Sequence, residues 1–441
     1  MCLQASSRHR VNKATLESRK NMPNSVKTNS LSLWLVDPLR PTAEYAADAF
    51  QPSGKVMPWF VPAGIGVALL VLSFVGWTAD PRQFYFSWLV GWVFCLSLAL
   101  GSLFFVLIHH LTRAKWSIVV RRIPEALIWS FPLLAVLAIP ILIGMHELFH
   151  WTHHAVYDPA SPEYDPILAG KHGYLNTPFF IIRLVFYFAA WTFISHRLYT
   201  VSLRQDVDGD AGAGARMRKT SAVGLVLTAV TTAFASYDVL MSLDPHWFST
   251  IFGVYFFAAA FWTAHALIAL IALIIQRNRG LRGVITQEHY HDLGKMMFGF
   301  TVFWAYIAFS QYMLIWYGNL PEETVWYRHR LQHGWEVHSA VLLIAHFVIP
   351  FWVLLPRRTK RAGPILGIMA VWFLIVNWFD FHWIAMPVLH GDHAGFHWLD
   401  FTCWLGLFGV FFGFVMYRLG RHSLVPQNDP ELVKSLNFTN I

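Results

Sequence analysis

The sequence predicts an all-α integral membrane protein with ten transmembrane helices, and three observations carry that prediction. Of 441 residues, 56% are hydrophobic and 17% aromatic, whereas 13% are charged, about half the charged usage of soluble domains. Apolar stretches of membrane-crossing length recur along most of the chain. Basic residues gather on alternate loops between them. The composition excludes a soluble globular enzyme. It also leaves the excess of 33 Lys and Arg over 25 Asp and Glu to be explained by where those charges sit.

The spans are predicted near residues 58–78, 86–112, 126–150, 176–202, 219–242, 249–276, 293–318, 335–356, 363–386 and 397–418. Thr177-Pro178, Asp244-Pro245 and Gly363-Pro364 read as helix starts, with Pro in a first turn where no amide donor is needed. Pro140 and Pro350 fall inside spans and predict kinks. Residues 1–57 read as a polar, basic N-terminal tail without a signal-peptide core, and 419–441 as a C-terminal tail. With an even number of spans both tails share a side. That side holds 26 of the 33 Lys and Arg, against four on the other side and three within spans. The bias predicts cytoplasmic termini, makes the net charge topogenic, and removes the need for a nucleic-acid partner; anionic lipid is the natural neighbour of the basic tail.

An internal repeat is visible. Tyr237-Asp238 in the fifth span and Phe379-Asp380 in the ninth are each followed by Pro seven residues past the Asp, at Pro245 and Pro387. Four spans separate them, as a tandem duplication of a four-helix unit would leave. The expected architecture is therefore two four-helix bundles, spans two to five (about 86–242) and six to nine (about 249–386), flanked by spans one and ten.

An ionisable group inside a membrane costs about 2.5–3.5 kcal/mol on insertion scales, so each asks for a partner, a water cavity or a task. Toward the outer side lie His146, Glu147, Arg183, Asp238, Asp244, His338, Asp380, His382 and Asp400; near the middle His265 and His346; toward the cytoplasm His109, His110, Glu125, His196 and Lys295. Arg183 and Asp238 are placed to pair, with His146 and Glu147 beside them. That set predicts either a packing ion pair or an outer polar pocket where a reductant releases protons. Lys295, Tyr306, His265, His346 and Asp380 cover much of the membrane depth and predict a proton relay.

Redox-centre motifs are lacking. Cys2, Cys95 and Cys403 are far apart, with no CxxCH and no cluster spacing. The run from His146 to His154 has the spacing of the histidine boxes of membrane di-iron desaturases, but it falls on the outer side and is not repeated. His265 and His346 sit at one depth, where a bis-His haem could bridge two helices.

Two stretches are more specific. Asp238 to Gly253 (DVLMSLDPHWFSTIFG) and Asp292 to Thr324 (DLGKMMFGFTVFWAYIAFSQYMLIWYGNLPEET) closely resemble a membrane component of alternative complex III, the family often labelled the second quinone-binding subunit of this bacterial quinol:cytochrome c oxidoreductase. With the spans around them, the resemblance covers about residues 35–425. It implies a polysulfide-reductase-like membrane subunit in the bacterial cytoplasmic membrane, packed beside a related ten-span quinol-binding subunit. Haem and iron–sulfur clusters are expected on partner cytochrome c and iron–sulfur subunits, and none bound covalently here. A proton path is implied, together with a quinone or menaquinone pocket. Asp238, Lys295, Tyr306 and Gln311 are the residues carried over on matching positions. A scaffold for the quinol-oxidising subunit is the rival expectation.

Overall fold

In the computed structural model, residues 58–278 and 280–440 are described, and the basic segment 1–57 lies outside them. Every regular element among the described residues is helical. Ten helices are long and apolar enough to cross a membrane: α1 (Phe60–Trp77), α2 (Pro81–Leu111), α3 (Arg122–Ile143), α4 (Thr177–Asp208), α5 (Ala213–Leu243), α6 (Phe252–Arg277), α7 (Gln287–Gly318), α8 (Trp335–Leu354), α9 (Gly363–His390) and α10 (Trp398–Gly420). Each falls on one predicted stretch.

Several helices outrun the stretches that predicted them, because hydropathy marks the apolar core whereas a helix continues until something caps it. α2 starts at Pro81 beneath an Asp80 cap that accepts from the Gln83 amide at 3.0 Å. Asn176 caps α4 in the same way at 2.9 Å, and α4 ends on Gly209 at φ 64°. Asp244-Pro245 does not open α6 as expected. Asp244 ends the turn Met241–Leu243, and the helix begins seven residues after Pro245.

The proline kinks have identifiable geometry. α3 is broken into Arg122–Ile128, Phe131–Leu137 and Ile139–Ile143, with Pro132 and Pro140 opening the later pieces. In α8, a π-helical turn Ile344–Val348 precedes Pro350, and the Trp372 indole donates to the Ala345 carbonyl at 2.8 Å. In α9, Pro387 sits inside the helix and leaves the Trp383 carbonyl without its amide. Arg330 takes that carbonyl at 3.2 Å, together with those of Ile384 at 2.6 Å and Trp326 at 2.8 Å. A neighbour satisfies the freed carbonyls in α8 and α9, as a bilayer interior requires.

α2 is almost wholly buried and touches α1, α3, α5, α6, α9 and α10. α6, nearly as buried, touches α2, α5, α7 and α9. Within α2–α5, and again within α6–α9, each helix touches its chain neighbours and the last touches the first. α1 and α10 pack on each other and lie together against α2. Their seam is built of small residues: a Cβ on Gly66 would meet the Val410 amide at 2.6 Å, and one on Gly409 the Gly66 Cα at 2.8 Å. Large apolar side chains such as Ile182, Phe186, Phe193, Phe309 and Trp316 point outward, a surface suited to lipid and costly in water.

The segment after α10 folds back over one end of the bundle. Asp429 pairs with Arg121 at 2.7 Å, and Ser435 Oγ donates to the Trp116 carbonyl at 2.9 Å. Asn440 reaches Lys295 at 3.1 Å.

Candidate functional site

Arg183 on α4 and Asp238 on α5 meet as predicted. Arg183 Nε donates to Asp238 Oδ2 at 2.9 Å and Nη2 to Oδ1 at 2.8 Å, the parallel two-point geometry of a strong pair. Tyr187 adds a third donor to Oδ2 at 2.8 Å. The remaining guanidinium donor goes to the Tyr174 carbonyl at 2.9 Å, and the guanidinium lies 3.8 Å from the centre of the Tyr174 ring. Arg183 and Tyr187 lie toward the N-terminal end of α4 and Asp238 toward the C-terminal end of α5. Against them lies a cavity of about 340 Å³, lined by Lys171, Tyr174, Tyr237, Ser242, Trp247 and Phe248.

His146 and Glu147 do not join this cluster. α3 ends at Ile143, and the following short helix Met145–Leu148 leaves both side chains exposed. His146 Nδ1 lies 3.1 Å from Thr152 Oγ1, and His153 Nε2 lies 2.8 Å from the His146 carbonyl. The histidine run is thus held by its own backbone. Among the described residues, no three His, Cys, Asp or Glu converge in a group able to hold a metal.

Asp380 on α9 has a different environment. Its carboxylate is fully buried and accepts from the Tyr255 hydroxyl of α6 at 2.5 Å. Its other oxygen faces His346 Nε2 of α8 at 4.0 Å. The His346 imidazole is clamped between two indoles, with ring centroids 3.9 Å from Trp262 and 3.5 Å from Trp304. The π-helical turn of α8 sets this ring between them. Both faces of the His346 ring are therefore covered by indoles, and its Nε2 faces Asp380 Oδ2 without a hydrogen bond.

The rest of the expected relay is not continuous. Tyr306 is 64% exposed on the outer face of α7, turned away from the buried side carrying Thr301 and Trp304. Lys295 is at the far end of α7, half exposed, and pairs with Asp292 at 2.5 Å. Gln311 is buried near the outer end, where it accepts from Ser249 and donates to the Tyr327 hydroxyl, both at 3.0 Å. His265 is buried one turn inward of Trp262, its Nδ1 2.7 Å from the Phe261 carbonyl. His109 repeats that bond with the Phe105 carbonyl at 2.7 Å. A carbonyl at Nδ1 places the proton there and leaves Nε2 as the acceptor.

Sequence reasoning missed several partners. Tyr255 and the Trp262/Trp304 clamp look like ordinary aromatic core in a chain with 37 Phe and 21 Trp. Asp400, noted for its depth alone, collects Gln83 at 2.9 Å, Ser87 at 2.5 Å and the His397 amide at 2.8 Å, with His382 at 3.4 Å. Arg330, counted with an outer loop, is buried with its guanidinium 3.5 Å from the Trp326 ring centre. The signals available for the last two were a polar Gln-Ser spacing on one helix face and a Pro just past the end of a predicted span. No protein-family model matches the chain, and no curated protein is similar to it.

Proposed function

We propose that this chain is a multi-pass subunit of a respiratory quinol:cytochrome c oxidoreductase of the alternative complex III type, in the bacterial cytoplasmic membrane with both termini cytoplasmic. Its part is to move protons, and the observation that carries this reading is the Tyr255–Asp380–His346 arrangement. A carboxyl group buried beside one hydroxyl and one clamped imidazole, without an Arg or Lys in ion-pair distance among the described residues, is built to exchange a proton rather than to anchor a charge. The inner continuation in this reading is His265, whose Nε2 makes no hydrogen bond, and then His109. Lys295 and Tyr306 stand outside this path because of their exposure.

A quinol is the substrate this reading implies. The outer cavity beside Arg183–Asp238 supports it, since Tyr174, Tyr237, Trp247 and Phe248 supply flat apolar walls and Lys171 and Ser242 polar groups. Oxidation of a quinol to a quinone gives up two electrons and two protons. The electrons leave through haem and iron–sulfur centres on partner subunits, and the protons leave toward groups such as those named here. The test is quinol:cytochrome c turnover and proton release by the assembled complex carrying Asp380→Asn. Impaired turnover with assembly intact supports the reading; wild-type turnover and proton release overturn it.

A second reading is favoured by one observation. Asp238 is saturated by Arg183 and Tyr187, which is how a packing ion pair looks. On that reading the chain scaffolds the quinol-oxidising subunit, and substitution of Asp238 and Asp380 alike costs assembly rather than rate.

A further inference from the structure

At the end of the bundle where α2 stops and α5 starts lies a cavity of about 380 Å³. The last turn of α2, the loop to α3, the end of α4 with the connection to α5, the start of α5 and the folded-back C-terminal segment wall it. We propose that this cavity binds a phosphate-bearing anion. The inference is independent of the quinol reading.

Charge is the first argument. The acids in the lining are already matched, Asp429 by Arg121 at 2.7 Å and Glu431 by Lys434 at 2.8 Å and Lys115 at 3.5 Å. Arg113 and Arg218 also line the cavity and have no ion pair among the described residues. Two positive charges therefore stand over it unmatched. The positive end of the α5 dipole adds to them, because Gly214 and Ala215 of its first turn form part of the wall. Arg218 curls over that turn, its Nη1 3.6 Å from where a Cβ on Gly214 would sit.

The second argument is a buried ring nitrogen without a partner. His110 is 7% exposed, lines the cavity, and its Nε2 makes no hydrogen bond. Such a nitrogen costs free energy until something accepts from it or donates to it. A phosphate oxygen does so here.

Backbone strain is the third. Ala114 donates its amide to the His109 carbonyl at 3.0 Å, a bond that closes a helix around a left-handed residue. That residue is Arg113 at φ 52°, where glycine is the unstrained choice. An arginine held in a glycine conformation at a cavity mouth indicates use of its side chain.

The same chemistry serves an anionic lipid headgroup or a soluble phosphate, and the experiment separates them. The full chain in phosphatidylcholine nanodiscs is titrated with phosphatidylglycerol in the disc, and separately with inorganic phosphate and with ATP in solution. Binding is read by native mass spectrometry and by thermal shift. Saturable binding of at least one probe is expected. It weakens about fivefold for Arg113→Gly or Arg218→Gln and about 30-fold for both. Sensitivity confined to phosphatidylglycerol identifies a lipid; sensitivity to phosphate or ATP identifies a soluble ligand. Arg113→Gly relaxes the backbone, so it folds even where the double variant does not. No saturable binding, equal binding by wild type and Arg113→Gly, or an equal loss in the exposed pair Arg357→Gln/Arg358→Gln, overturns the proposal.

Discussion

Asp238 and Asp380 occupy corresponding places in the sequence, yet their neighbours make them different chemical objects. Two bonds from the Arg183 guanidinium and one from Tyr187 saturate the Asp238 side chain. Replacing it by Asn strands a buried guanidinium, a change that costs about 3–5 kcal/mol. The expected outcome for Asp238→Asn is a lower melting temperature and a reduced yield of assembled complex, measured by thermal scanning and by native gel. Asp380 keeps one hydroxyl donor and one imidazole. On the proposed function, Asp380→Asn is expected to preserve assembly and to slow quinol oxidation about a hundredfold, the low end of what a positioned proton-transfer group contributes. A stopped-flow record of proton release in the same preparation checks that the two losses run in parallel. Tyr306→Phe serves as the contrast and is expected to leave turnover unchanged, since its hydroxyl is on the outer face of α7.

Among the helices, seams and caps decide. α1 is bound to α10 through Gly66, Gly406, Gly409 and Gly413, where added side chains would meet backbone atoms that cannot move aside. Ser73 donates to Thr402 across the same seam at 2.9 Å. Cysteines at Ser73 and Thr402 are therefore expected to form a disulfide readily, and Gly409→Leu to abolish it; a non-reducing gel after proteolysis between the helices reads the result. The outer loop offers a pH test. Asp165 caps the short helix Pro166–Lys171 through the Ile167 and Leu168 amides and pairs with His246 at 2.5 Å. Burial works to raise its pKa, but the His246 bond and the two amides outweigh it and hold the carboxyl below its usual 3.8. A depressed carboxylate pKa gives stability that is complete above the unfolded value and is lost as pH falls through the folded one. The protection factor of the amides of Pro166–Lys171, corrected for intrinsic exchange, is expected to fall as pH drops below about 4, and Asp165→Asn to lose this step.

For the whole molecule the governing quantity is the uneven distribution of Lys and Arg between the two ends. It predicts that the end carrying the folded-back C-terminal segment faces the cytoplasm. Single cysteines at Val433 and at Glu163, both exposed and separated by seven spans, test this. A membrane-impermeant maleimide applied to intact cells is expected to label Glu163→Cys, and to label Val433→Cys only after permeabilisation. The same view explains why a repeat seen in sequence need not give two equal sites. Pro245 lies outside any helix, whereas Pro387 lies inside α9 and requires Arg330 to satisfy the carbonyl it frees. The two halves share a span order and differ in what each span end does.

The number of helices, their places and the small set of ionisable groups that had to be accounted for were all legible in the order of residues, because crossing a bilayer demands long apolar stretches and penalises every buried charge. So was the Arg183–Asp238 pair, since opposite charges at one depth on consecutive helices have few alternatives. The remainder came from packing. Which face of α7 turns inward put Thr301 and Trp304 in the core and Tyr306 outside, and a helix that is apolar on nearly all sides carries no periodicity from which that rotation can be read. The early end of α3 took His146 and Glu147 away from Asp238. The π-helical turn before Pro350 placed His346 between two tryptophans, and the fold-back of the C-terminal segment closed a basic cavity from stretches distant in sequence. Each of these depends on rotation, termination or long-range docking, and contacts between helices set all three after hydropathy has already been satisfied.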